Sequence, residues 1–140
     1  MKDCIFCEIV TGGEPTHIIW EDQNFLALLD IHPYREGHAL ALPKVHLTNV
    51  YELPEPLYSE FFQGVKRLYQ PIMKAVNSDG VGVTLETVNA TRHLRIQLIP
   101  FNHADKAGLN GRMDVNSSQL EDVAERIRTE ISGSNRLRAI

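Results

Sequence analysis

Residues 93 to 100 read His93-Leu94-Arg95-Ile96-Gln97-Leu98-Ile99-Pro100. Polar and apolar side chains alternate from His93 to Leu98. On a strand, successive side chains point to opposite faces, so His93, Arg95 and Gln97 share one face and Leu94, Ile96 and Leu98 the other. Same-face neighbours stand about 7 Å apart. Alternation alone reads as a half-buried strand whose polar side faces solvent.

Further strands lie upstream. His17 to Trp20 and Phe25 to Leu29 flank the polar turn Glu21-Asp22-Gln23-Asn24 and read as a hairpin. His38 to Leu42 is a third strand, and Val81 to Val88 is another. The stretch from Pro54 to Val76 has helical periodicity, with Leu57, Phe61, Val65 and Leu68 on one stripe and Phe62 beside it. Pro71 lacks a backbone donor and is expected to kink or end this helix. Residues Asn102 to Asn116 have loop composition. Ser117 to Ile131 forms a second amphipathic helix, capped by Ser117 or Ser118, burying Leu120, Val123, Ala124, Ile127 and Ile131. The tail from Ser132 is expected to fray. Gly12-Gly13 stops any helix that begins in the apolar stretch Cys4 to Val10. Strict βαβ alternation is absent, which predicts an α+β fold with a mainly antiparallel sheet of about five strands, a long helix and a C-terminal helix.

The chain has 140 residues, 43% of them hydrophobic and 23% charged, with a net charge of −4. That suits a single domain over residues 1–140, with a core at about 4–101 and a C-terminal helix at about 117–132. No basic stripe marks a nucleic-acid partner, and no apolar run is long enough for a membrane span. The N-terminus has no signal-type stretch. A cytoplasmic protein is therefore expected, with Cys4 and Cys7 reduced.

Cys4 and Cys7 have Cys-x-x-Cys spacing. Such a pair suits two thiolates on one zinc ion, a redox couple, or two buried thiols. A redox couple usually sits in a thioredoxin-like βαβ unit, which does not fit here.

These stretches together resemble the histidine triad (HIT) family, in its zinc-containing bacterial branch. The family strand alternates three histidines with apolar residues, and His93-Leu94-Arg95-Ile96-Gln97-Leu98-Ile99-Pro100 is similar to it. Cys4-Ile5-Phe6-Cys7, Leu29-Asp30-Ile31-His32-Pro33 and the segment from Gly37 to His46 match further landmarks in order. The resemblance implies a HIT-like fold and a structural zinc held by Cys4, Cys7, His46 and His93. It also implies a homodimer paired through the long helix and an edge strand. It implies a nucleotide or other small phosphate ligand, with Asp30 on the ribose, Ile19, Trp20, Leu29 and Ile31 around the base, and Arg95 and Gln97 at the phosphate. His38 matches a buried structural position. His17, His32 and His103 are expected to face solvent.

Three departures bear on the family's chemistry, of which Gln97 at the third histidine position is the less decisive, since glutamine is tolerated there in one branch of the family. The middle histidine of the family is the nucleophile, and here that position is Arg95. A guanidinium stays protonated and offers only donors, so it cannot attack phosphorus, though it can bind phosphate. The stretch Glu86-Thr87-Val88-Asn89-Ala90-Thr91-Arg92 contains no glycine, so the family's usual Gly-rich phosphate loop is not expected. The reading is a HIT-family nucleotide- or phosphate-binding protein without the usual histidine-dependent hydrolase or transferase activity. An active enzyme using a non-standard group, and a dimeric scaffold without a small ligand, are the alternatives.

Overall fold

The structure is a computed structural model describing residues 4–86, 93–105 and 111–139. Its elements run α1 (Ile5–Val10), β1 (Ile18–Glu21), β2 (Phe25–Leu29), β3 (Ala39–Pro43), α2 (Leu57–Val76), β4 (Gly80–Glu86), β5 (Arg95–Phe101) and α3 (Ser117–Ala139). The five strands form one antiparallel sheet in the order β1-β2-β3-β5-β4. The α+β fold read from the sequence is thus the observed one.

The sheet has two differently covered faces. On one, Phe25, Ala27, Leu29, Ala39, Ala41, Leu94, Ile96 and Leu98 pack against α2 and α3 in the larger core. On the other, Leu26, Leu28, Leu40 and Leu42 pack beneath α1 with Cys4 and Phe6. Strand alternation directs His93, Arg95 and Gln97 to this second face. Every residue from 93 to 100 is buried, so the expectation that their side faces solvent does not hold. The reason is α1, a six-residue helix that lies over that face and removes it from water.

Other details differ from the sequence reading. Pro71 does not end α2, which continues to Val76 and closes on Asn77 in the left-handed conformation, φ 54°. Pro71 and Ile72 are both buried on the helix's core side, and that burial outweighs one missing backbone bond. The cap of α3 is Asn116, whose side chain accepts from the Gln119 N–H while Gln119 Oε1 accepts from the Asn116 N–H. This reciprocal pair replaces the expected serine cap. The helix extends past Ser132 to Ala139 instead of fraying.

Gly37 fixes the loop between β2 and β3. Its φ is +89°, and a Cβ there would meet Val76 Cγ1 at 2.9 Å and Pro100 Cγ at 3.2 Å. Only glycine satisfies both the conformation and the space. The loop is thereby held close against α2 and β5, beside His38.

Candidate functional site

At the N-terminal end of the buried polar row, four side chains converge. Cys4, Cys7, His46 and His93 each bring one donor atom to within 4.8 Å of the others. Cys4 is the N-cap of α1 and Cys7 lies one turn on, so both sulfurs face the same side. His46 Nδ1 is 3.2 Å from Cys7 Sγ, and His93 Nδ1 is 3.4 Å from Cys4 Sγ and 3.6 Å from Cys7 Sγ. A tetrahedral zinc with bonds of about 2.3 Å to sulfur and about 2.0–2.1 Å to nitrogen sets sulfur–nitrogen edges of about 3.6 Å. The cluster is therefore of the right size and chemistry for such an ion.

The surrounding groups orient this set. His93 is fully buried, and its Nε2 donates to the Pro43 carbonyl at 2.9 Å, leaving Nδ1 as the free acceptor. Burial holds the His93 imidazole below its usual pKa, which favours the neutral, metal-binding form. Burial pushes the Cys7 thiol up, and Cys4 beside it adds to that shift. Two adjacent thiolates need a cation to be stable there. The loop bearing His46 is fixed from two sides. Glu52 accepts from the Thr48 and Asn49 N–H groups at 3.0 Å each and from the Thr48 hydroxyl at 2.6 Å. The Leu94 N–H donates to the Leu47 carbonyl at 2.6 Å, tying that loop to β5.

Arg95 is the next residue on this face. It is 6% exposed. Its Nη1 donates to the His93 carbonyl at 3.1 Å, and the guanidinium lies over the Phe6 ring, 5.0 Å from the centroid. Phe6 stands between Cys4 and Cys7 in α1, and its ring also lies 5.9 Å from that of His93. Metal cluster and Arg95 thus share one aromatic neighbour.

Gln97 lies beyond. His38 is fully buried, stacks on Tyr34, and accepts the Tyr34 N–H at its Nδ1. An imidazole that accepts at Nδ1 carries its proton on Nε2. His38 Nε2 therefore donates to Gln97 Oε1, at 2.7 Å. Asp30 Oδ2 is 3.7 Å from the same nitrogen, and Asp30 Oδ1 accepts from the His32 N–H at 2.8 Å.

The structure brings Asp30, Arg95 and Gln97 to one face but separates the expected base contacts. Ile19, Trp20 and Leu29 lie on the α2–α3 side, Ile19 and Leu29 in the core and Trp20 packed beside it. A register shift between Ile18 and Trp20 puts Trp20 opposite Ala27, so both face the helices. Ile18 and Leu28 occupy the Arg95 face instead. Strand alternation could have picked out Leu28, but the bulge that redirects Ile18 has no plain sequence signal. Ile31 is 54% exposed beside Asp30. His32 and His103 are exposed, as expected. His17 is not: its side chain is 14% exposed, and its Nδ1 lies 2.9 Å from Glu121 of α3. Residues 87 to 92, where the sequence lacks a glycine-rich phosphate loop, lie outside the described residues.

A HIT-like sheet with a Cys₂His₂ cluster at one end of the triad strand defines the class. The HIT domain family model matches residues 11–101, and the chain belongs to that family. It is 30% identical over 131 residues to Protein hit of Bacillus subtilis, covering 87% of this chain and 88% of that protein. It is 32% identical over 110 residues to the adenosine 5'-monophosphoramidase of Saccharomyces cerevisiae, covering 76% of this chain and 66% of that enzyme. A zinc-bound histidine triad family protein from Mycobacterium smegmatis superposes with a TM-score of 0.83 at 27% identity, covering 97% of this chain and 98% of that one.

Proposed function

We propose that this chain is a zinc-stapled nucleotide-binding protein that does not turn its ligand over by a histidine-dependent covalent step. The observation that carries the reading is Arg95, buried at the middle position of the triad strand with its guanidinium fixed between the His93 carbonyl and Phe6. The family relation supplies the ligand class, and the yeast relative named for an adenosine 5'-monophosphate amide supports it.

Cys4, Cys7, His46 and His93 would hold the zinc. When bound, the ion supplies no reacting group, because four protein ligands leave no open position; it ties α1 and the His46 loop to β5. Asp30 offers a carboxylate to the ribose, with the exposed Ile31 beside it. Arg95 contributes a permanent positive charge on the phosphate side. His38 and Gln97 are a mutually satisfied pair that holds the β2–β3 loop to β5.

Calorimetric titration with adenosine 5'-monophosphate, run beside a hydrolysis assay on adenosine phosphoramidate, tests this. Binding is expected together with turnover orders of magnitude below that of an intact-triad relative, since the covalent route is missing. Turnover comparable to that relative, abolished in Arg95→Ala, would sink the proposal.

A second reading concerns assembly. β4 is an edge strand, with Val83 50% and Leu85 46% exposed. Such an edge suits pairing with a second copy, as the family resemblance implies. Light scattering is expected to give a dimer mass, and a monomer at micromolar concentration would overturn this reading.

A further inference from the structure

The segment leading into α3 returns over the β2–β3 loop and inserts one cation beside Asp30. Arg112 Nη1 donates to Asp30 Oδ2 at 3.3 Å and to the His32 carbonyl, and its guanidinium lies over the Tyr34 ring, 4.2 Å from the centroid. The Met113 N–H donates to the Pro33 carbonyl at 2.6 Å, so the segment's backbone is anchored at the same place. Nothing in the proposed chemistry above uses Arg112.

This contact bears directly on a sugar. Asp30 has one oxygen bonded to the His32 N–H, and the other faces both Arg112 and the His38 imidazole. A ribose with two free hydroxyls brings only donors to that carboxylate, and one of them must share or displace Arg112. A ribose carrying a phosphate on one of those oxygens brings an acceptor to the guanidinium and keeps one hydroxyl for Asp30. Arg112 is suited to receive it. Its side chain is 43% exposed, so an anion can reach it, while Tyr34 holds the guanidinium plane in place. Guanidinium–phosphate pairs gain from two parallel charge-assisted bonds, whereas a neutral hydroxyl can accept only a single, weaker bond from the same cation. An acid for a free ribose hydroxyl and an arginine for a ribose phosphate is a general way of telling two nucleotide classes apart.

We propose that Arg112 determines specificity at the ribose end of the site, selecting nucleotides that carry a phosphate on the 2′ or 3′ oxygen over those with a free diol. The inference rests on the nucleotide-binding reading given above. It makes Arg112 a ligand contact, which a purely structural tie between two loops would not be.

The test titrates the full chain at fixed ionic strength with adenosine 5'-monophosphate, adenosine 2′,5′-bisphosphate and adenosine 3′,5′-bisphosphate. Wild type is expected to bind one of the bisphosphates at least about tenfold more tightly than the monophosphate, the gain typical of a charged hydrogen bond. Arg112→Gln is expected to erase that ratio while retaining monophosphate binding, and Arg112→Lys to keep part of it. Equal affinity for all three ligands, or a preference that survives in Arg112→Gln, overturns the role of Arg112 and leaves nucleotide binding standing. Failure of all three to bind a folded wild-type chain overturns both.

Discussion

The two ends of the triad strand differ in what they have kept. At the His93 end, Cys4 and Cys7 at the start of α1, His46 in its loop and His93 just before β5 form a set complete enough for a metal ion. At the Gln97 end, two of the three triad positions carry other residues, yet the polar groups there are satisfied: His38 donates to Gln97, and Asp30 is bonded on both oxygens. The first end would resist change because removing any ligand opens the whole set. The second accommodates Gln97 because its amide oxygen accepts from His38 Nε2. Arg95 sits between them, tied by its hydrogen bond and its aromatic contact to the metal end. Under the proposed reading, the His93 end serves structure, while the other two positions carry Arg95 and Gln97 in place of catalytic groups.

Disabling the metal end should produce the largest effect. Cys4→Ser or His93→Ala is expected to abolish zinc retention, measured by mass spectrometry of the purified protein, and to lower the melting temperature by about 10 °C or more. A chelator should reproduce the drop in wild type and leave the variants unchanged. A smaller effect is expected at the other end. His38→Ala removes the bonds to the buried Gln97 oxygen and from the Tyr34 N–H, at a cost of about 1–3 kcal/mol in denaturant unfolding, with zinc content unaltered. Loss of zinc in that variant would mean that the two ends are not independent.

The smallest expected effect is a pH dependence at the loop that carries His46. Hydrogen bonds from the Thr48 side chain and then from the Thr48 and Asn49 backbone hold the Glu52 carboxyl below its ordinary value of 4.5. A depressed folded-state pKa contributes stability that is present above pH 4.5 and is lost as pH falls through the folded value. Glu52→Gln should therefore flatten the acid limb of the stability curve below pH 4.5 and change little at neutrality. Identical acid limbs in the two proteins would remove Glu52 from this role.

Much of this was legible in the residues themselves. Alternation from His93 to Leu98 gave the strand and the grouping of His93 with Arg95 and Gln97, because period two is a property of any extended chain. It could not say that the polar side is buried, since that depends on α1 folding over it, with Cys4 meeting His93 across 89 residues. The register shift at Ile18 has no strong local sequence signal, and it moved Ile19 and Trp20 to the helix side. Pro71 shows the same limit: a local penalty on a helix was outweighed by burial that only the packed sheet provides. Arg112 carries no sequence signal for a related reason. It stands in a loop-like stretch, and its meeting with Asp30 is 82 residues distant in sequence.

The central claim is that the middle position of the strand no longer forms a covalent bond to a nucleotide. Intact-mass spectrometry of the zinc-loaded protein, quenched in acid-free denaturant during incubation with adenosine phosphoramidate, tests it most directly. An intact-triad relative treated in the same way provides the positive control. This chain is expected to keep its unmodified mass while retaining measurable affinity for adenosine 5'-monophosphate. An adenylylated species that accumulates and decays at the rate of substrate loss would contradict the account and show that another residue has taken over the nucleophile's role.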